Sequence, residues 1–96
     1  MTDYDEGYAD LEAVLYRAYA QAAEGKGKER HAGDSKDFKD NPMFKIIDMV
    51  GEGFALGQAI KKIEESRRLP IEMAVNERLG AIVYIAASII ALENKA

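Results

Sequence analysis

The sequence predicts a single all-α domain over residues 1–96, built from three helices. Three observations indicate this class: helically spaced apolar residues in the first quarter, a wide apolar face in the middle, and an almost unbroken apolar run near the end. Apolar residues at spacings of three and four are typical of helices, whereas strands alternate. A chain of this length is ordinarily one domain.

The first predicted helix spans residues 1–24. Thr2 or Asp3 can cap it, and acidic residues in its first turn complement the helix dipole. Gly25 is expected to end it as the residue just past the last turn. The apolar seam of this helix consists of Tyr4, Tyr8, Leu11, Leu15, Ala18 and Ala22.

A polar connection over residues 25–41 follows. Its first part, residues 25–33, is called the basic segment below: it holds three glycines, three basic residues and the single histidine, His31. Glycine lets backbone N–H groups approach an anion, and lysine and arginine supply charge. The alternative is a solvated loop between helices. Phe38 is expected to anchor the connection onto the helices, which favours an ordered loop.

The second predicted helix spans residues 42–66, with Asn41 as its cap and Pro42 in its first position. Its apolar face is wider than one neighbouring helix would cover. Gly51, Gly53 and Gly57 each cost about 1 kcal/mol relative to alanine inside a helix. Two features could offset this loss of helix stability: close packing of helices against the glycines, or glycine backbone that is exposed to a ligand.

The third predicted helix begins at Pro70 and runs to about Asn94. From Leu79 to Leu92 only Tyr84 and Ser88 interrupt its apolar sequence. A helix that is apolar all round must be buried all round, and two companion helices cannot enclose it. Its outer face is therefore expected to meet another subunit in a homo-oligomer. The apolar run itself is shorter than the roughly 20 residues that cross a bilayer, so no membrane partner is expected.

Composition excludes several function classes. The formal net charge is −4, which argues against non-specific binding to duplex DNA. The chain has no cysteine, which excludes disulfides and thiolate chemistry. A lone histidine and the lack of any metal-binding motif leave no catalytic set, so neither an enzyme nor a cofactor is expected.

One enzyme class stays open as an alternative: an all-α nucleotide pyrophosphohydrolase, which would hold magnesium with glutamates on facing helices. Glu64 and Glu65 have basic neighbours suited to ion pairs with Arg68 and Lys61. Glu72 and Glu77 lack the spacing that places two residues on one helical face. A helical interaction protein without a ligand is the other alternative.

The candidate ligand-binding residues are those that could bind a small molecule with phosphate groups and planar bases. Tyr8 is either a core tyrosine or a stacking platform for a nucleobase, with Tyr16 as the fallback platform. Arg67 either complements the dipole at the end of the second helix or contacts phosphate. The basic segment contributes Gly25, Lys26, Gly27, Lys28 and Arg30.

The chain resembles the phage anti-CBASS proteins that act as sponges for cyclic oligonucleotides. The resemblance covers about residues 25–92, while the first helix is similar only in character. It is carried by Lys26–Ala32, Phe38, Asn41–Met43, Gly53–Lys62 and Leu79–Ala86.

The resemblance implies a fold, an assembly and an activity. It implies a shorter N-terminal helix with two long antiparallel helices, in a compact hexamer. It further implies binding of cyclic dinucleotides, and in some members cyclic trinucleotides at a separate site, without cleavage. Sequestration of these second messengers in the cytoplasm of the infected bacterium would block CBASS immunity.

The resemblance also implies roles for particular residues. A tyrosine of the first helix stacks on a base, for which Tyr8 is the best match among several tyrosines. Lys26 would contact phosphate, together with the rest of the basic segment. Arg67 would serve the trinucleotide site.

Overall fold

The computed structural model describes residues 6–24 and 37–95, and within these ranges the chain is helical without a strand. Four α-helices and two short 3-10 turns make up this part. The α-helices are α1 (Ala9–Glu24), α2 (Met43–Val50), α3 (Gly53–Ser66) and α4 (Ile71–Lys95), and the 3-10 turns are Glu6–Tyr8 and Phe38–Asp40. The all-α prediction is confirmed for these residues.

The first helix agrees with the prediction over most of its described length. Regular α-helix begins at Ala9, and Tyr8 lies in the 3-10 turn that precedes it. The capping assigned to Thr2 or Asp3, and the stop assigned to Gly25, lie outside the described residues.

The predicted second helix is in fact two helices, and the prediction of one helix over 42–66 is wrong. Gly51 separates α2 from α3 with φ 95° and ψ 168°, a conformation that is essentially restricted to glycine. Its N–H donates to the carbonyl oxygen of Ile47 at 2.7 Å, which closes α2. Glu52 then returns to helical dihedrals, and α3 starts at Gly53.

The start of α2 differs slightly from the prediction. The helix begins at Met43 rather than at Pro42. The Asn41 side chain still caps the helix, because its Oδ1 accepts a hydrogen bond from the N–H of Met43 at 3.0 Å.

The longest helix, α4, is the central element, and α1, α2 and α3 all pack against it. Helices α3 and α4 form an antiparallel hairpin. Near the turn, Arg78 Nε donates to Ser66 Oγ at 2.9 Å, and Lys62 pairs with Glu77 at 3.5 Å. Farther from the turn, the rings of Phe54 and Tyr84 meet edge to face, with centroids 6.4 Å apart.

The core is built mostly from small side chains. The buried apolar residues are Ala18, Ile47, Ala55, Ala59, Leu79, Ala81, Ala87 and Ala91. Alanine lets helices approach closely, but each alanine buries little apolar surface. The described chain therefore has closely packed helices and a core of small volume.

Aromatic side chains close one end of this core. Phe38, Phe44, Phe54 and Tyr84 pack against the cluster around Ile47. Phe38 and Phe44 meet edge to face with ring centroids 5.3 Å apart. The prediction that Phe38 anchors the connection onto the helices is thus confirmed.

Helix α4 is not enclosed by its companions, as its sequence predicts. Ile85, Ile89 and Leu92 lie one turn apart on its C-terminal half and are exposed. The 25-residue helix is also long and apolar enough to cross a membrane, although the run of 79–92 alone is too short. A third of its most apolar 18-residue window is buried inside the chain.

We expect Gly51→Ala to lower the free energy of unfolding by about 1–3 kcal/mol, since a side chain is strained at this φ and ψ. No atom lies within 4 Å of the added Cβ, so any loss reports backbone strain and not a clash. Urea denaturation measures the change. Lys45→Ala, an exposed position in α2, is the control and should stay within about 0.5 kcal/mol of wild type. An unchanged Gly51→Ala variant would contradict the assignment of strain to Gly51.

Candidate functional site

Tyrosines form the exposed aromatic part of the first helical segment. Tyr8, Tyr16 and Tyr19 are 59%, 61% and 63% exposed. The interpretation of Tyr8 as a core residue is therefore wrong within the described chain. Its exposure is compatible with stacking on a planar partner.

Two of these tyrosines lie next to each other. The rings of Tyr16 and Tyr19 are stacked, with centroids 6.2 Å apart and planes inclined by 29°. Such a pair is a broad aromatic surface that a third ring can extend. From the sequence, Tyr16 is predicted only as a substitute for Tyr8. The i, i+3 spacing of Tyr16 and Tyr19 on a helix is the signal that indicates the pair.

The phosphate-binding half of the predicted site lies outside the described residues. This applies to Gly25, Lys26, Gly27, Lys28 and Arg30. Their proximity to the tyrosines therefore stays a prediction from the sequence, in which the basic segment directly follows α1.

A polar contact fixes the end of α1 that leads into the basic segment. Gln21 Nε2 donates to the backbone oxygen of Asn76 at 3.1 Å and to its Oδ1 at 3.0 Å. Ala18, one turn earlier, is buried, and Gln21 Oε1 lies close to Gly80. The last turn of α1 is thus attached to the N-terminal half of α4. Nothing in the spacing of the sequence indicates this pair.

An open pocket of about 380 Å³ adjoins this contact, near the turn between α3 and α4. It is lined by Leu69, Glu72, Met73, Asn76 and Glu77. Glu72 and Glu77 line the same pocket, although their spacing indicated different faces. Glu77 is paired with Lys62 at 3.5 Å, and no basic residue lines the pocket. The lining therefore offers a phosphate a carboxylate and no cation, which disfavours phosphate binding. It is therefore not an anion site.

Arg67 follows the last residue of α3 and is exposed. Its neighbour Arg68 pairs with Glu64 at 2.7 Å, as predicted from their spacing. Arg67 has no ion pair with any residue that the structure describes. Its guanidinium is therefore available both to the dipole of α3 and to an external anion, and both interpretations stay open.

Two more of the candidate glutamates lie beside cations. Glu65 lies 4.0 Å from Lys61, a second pair predicted from spacing, and Glu77 lies 3.5 Å from Lys62. Over residues 6–24 and 37–95, no three or more histidine, aspartate or glutamate side chains group in a way that could hold a metal ion.

Comparison of the chain with protein-family models, with curated proteins and with solved structures finds no match. The geometry above and the resemblance carried by the sequence motifs are therefore the grounds for a function.

We expect Gln21→Ala to lower the free energy of unfolding by about 0.5–1.5 kcal/mol, since it removes the hydrogen bonds between α1 and α4. A double-mutant cycle with Asn76→Ala, followed by urea denaturation, isolates this pair. The double variant should lose less than the sum of the single losses. Arg17→Ala, which changes an exposed residue of α1, is the control. Strictly additive losses would show that the two side chains are not coupled.

Proposed function

We propose that this chain is a non-enzymatic binding protein that sequesters cyclic di- and trinucleotides as a homo-oligomer. In the cytoplasm of an infected bacterium, this capture blocks CBASS immunity. The resemblance to the phage sponges supplies the ligand class, the hexameric assembly and the biological setting. The observation that carries the proposal is the exposed tyrosine surface that directly precedes the basic segment.

The tyrosines support the base-binding half of the proposal. A tyrosine that is more than half exposed presents its face to solvent, where a nucleobase can stack on it. Stacking of a base on an aromatic ring contributes about 1–3 kcal/mol. Tyr8 is the proposed platform, with the pair of Tyr16 and Tyr19 as the alternative surface.

The basic segment supports the phosphate-binding half. Lys26, Lys28 and Arg30 lie within six residues of the end of α1, beside Gly25 and Gly27. Charge-assisted hydrogen bonds from lysine and arginine to phosphate are among the stronger polar contacts in proteins. The overall charge of −4 does not prevent this, because a local concentration of cations sets the local potential.

Unenclosed apolar surface supports self-assembly. Large apolar side chains are exposed on all four helices, including Leu15, Met49, Ile60 and Ile89. Monomeric proteins rarely leave large contiguous apolar patches in water. Copies of the chain that cover these faces for one another would create clefts between subunits.

A shared cleft explains how such a protein can hold its ligand. A two-fold interface presents the same tyrosine and lysine twice, which matches a ligand with two similar halves. Each half of the ligand then receives one stacking contact and one phosphate contact. A sponge has no product to release, so tight binding carries no penalty in turnover.

Replacing Tyr8 tests the stacking contact. We expect Tyr8→Ala to weaken cyclic dinucleotide binding by about 5- to 150-fold, the equivalent of one lost stacking contact. Tyr8→Phe keeps the ring and should bind almost normally. Isothermal titration measures both variants, with Tyr16→Ala as the matched control. A large loss for Tyr16→Ala and none for Tyr8→Ala would move the platform to Tyr16, while equal losses for Tyr8→Phe and Tyr8→Ala would indicate a hydroxyl contact.

Replacing Lys26 tests phosphate recognition and capture together. We expect Lys26→Ala to weaken binding while the sedimentation coefficient stays at the wild-type value, because the proposal assigns Lys26 to phosphate binding and not to subunit contacts. Ligand bound to the wild type is then released by heat and chromatographed. Intact ligand indicates sequestration, and hydrolysed ligand indicates the pyrophosphohydrolase alternative. An absence of heat with every cyclic oligonucleotide tested would leave the proposal without support.

A further inference from the structure

Two glycines of α3 lie on the side of the helix opposite its buried residues. Ala55, Ala59 and Ser66 are buried, whereas Gly53 and Gly57, one turn apart, are exposed. A Cβ built on either glycine meets nothing within 4 Å. The close packing expected for these glycines therefore does not occur within the described chain, although glycine remains a poor helix former.

Large apolar side chains flank the two glycines. Leu56, Ile60 and Ile63 follow the i, i+4, i+7 spacing of one helical stripe, and Ile60 is 66% exposed. Gly53, Leu56, Gly57 and Ile60 together form a strip called the α3 seam below. Its ridge of leucine and isoleucine beside a groove of glycines is the shape that lets a second helix approach closely.

Charge along this region is divided between its two ends. Asp48 and Glu52 precede α3, and no basic residue lies between Asp48 and Lys61. At the other end, the four basic residues Lys61, Lys62, Arg67 and Arg68 outnumber Glu64 and Glu65, so this end keeps a net positive charge. If two copies of α3 pack antiparallel, the acidic end of each lies beside the basic end of the other. The two helix dipoles are then also opposed, which is favourable.

We propose that the α3 seam is a contact between two copies of this chain, which pack antiparallel about a two-fold axis near Gly57. The contact is isologous, since each copy supplies both the glycine groove and the isoleucine ridge. The inference rests on the self-assembly in the proposed function and adds the surface and the orientation. It also gives Gly53 and Gly57 a packing role that they do not have within the described chain.

Cysteine cross-linking tests both the surface and the orientation, and the chain has no cysteine of its own to interfere. Gly57→Cys lies at the proposed axis, so two copies should form a disulfide under mild oxidation. In the antiparallel arrangement, the Gly53→Cys residues of the two copies lie about 12 Å apart, measured along the helix axis. The two Ile60→Cys residues lie about 9 Å apart in the same direction. Disulfides need Cα atoms within about 7 Å, so neither variant should link to itself efficiently.

A mixture of the Gly53→Cys and Ile60→Cys chains brings the two positions together and should give a strong mixed dimer. Self-linking of all three single variants would indicate parallel packing and overturn the orientation. Glu93→Cys, exposed on α4, measures collisional cross-linking. Linking of Gly57→Cys no faster than this control would overturn the seam.

A bulky substitution provides a second, independent test. Gly57→Leu should keep the helical circular dichroism signal, because the site is open within the chain. It should weaken self-association at least tenfold in sedimentation equilibrium, since the leucine fills the groove. Lys45→Leu adds the same side chain to α2 outside the seam and should assemble normally. Normal assembly of Gly57→Leu would overturn the seam.

Different outcomes overturn the α3 seam and the proposed function. Cross-linking without any cyclic oligonucleotide binding would overturn the proposed function and support the seam. Ligand binding by the wild type without cross-linking at Gly57→Cys would overturn the seam and support the function. A wild-type chain that sediments as a 10.6 kDa monomer at micromolar concentration would overturn the seam.

Discussion

The small size of the residues between the helices is the constraint on which the rest of this structure depends. Ala55, Ala59, Ala87 and Ala91 bring α3 and α4 together and fill the space between them. Most leucines and isoleucines of these two helices lie outside the core instead, although Leu79 is buried. Close packing inside the chain thus goes together with apolar exposure outside it. Assembly of several copies is the response that the proposed function requires.

The break at Gly51 adds the second constraint. Ile47 and Phe44 of α2 pack against the core beside Ala87 and Ala91. Ala55 of α3 belongs to the same core cluster. The backbone conformation at Gly51 therefore separates two helices that both contribute side chains to this core.

The candidate site has two parts: the exposed tyrosines of the first helical segment and the basic segment that follows it. The last turn of α1 is attached to α4 through Gln21 and Asn76, and the exposed tyrosines lie earlier on the same helical segment. The basic segment begins directly after this attached turn. Glu72 and Glu77 line the neighbouring pocket, Glu77 is paired with Lys62, and no basic residue lines the pocket. Under the proposed function, a phosphate-bearing ligand is therefore expected on the tyrosine side of the molecule and not in this pocket.

The sequence by itself determined the all-α class, the ion pairs of Glu64 with Arg68 and of Lys61 with Glu65, the anchoring of Phe38 and the incomplete burial of the last helix. These follow from spacing and composition, which are local properties. Only the tertiary structure decided that Gly51 breaks a helix, that Tyr8 is exposed and that Glu72 and Glu77 share a pocket. Each of these depends on which distant residues meet a given face, and helical periodicity does not contain that information.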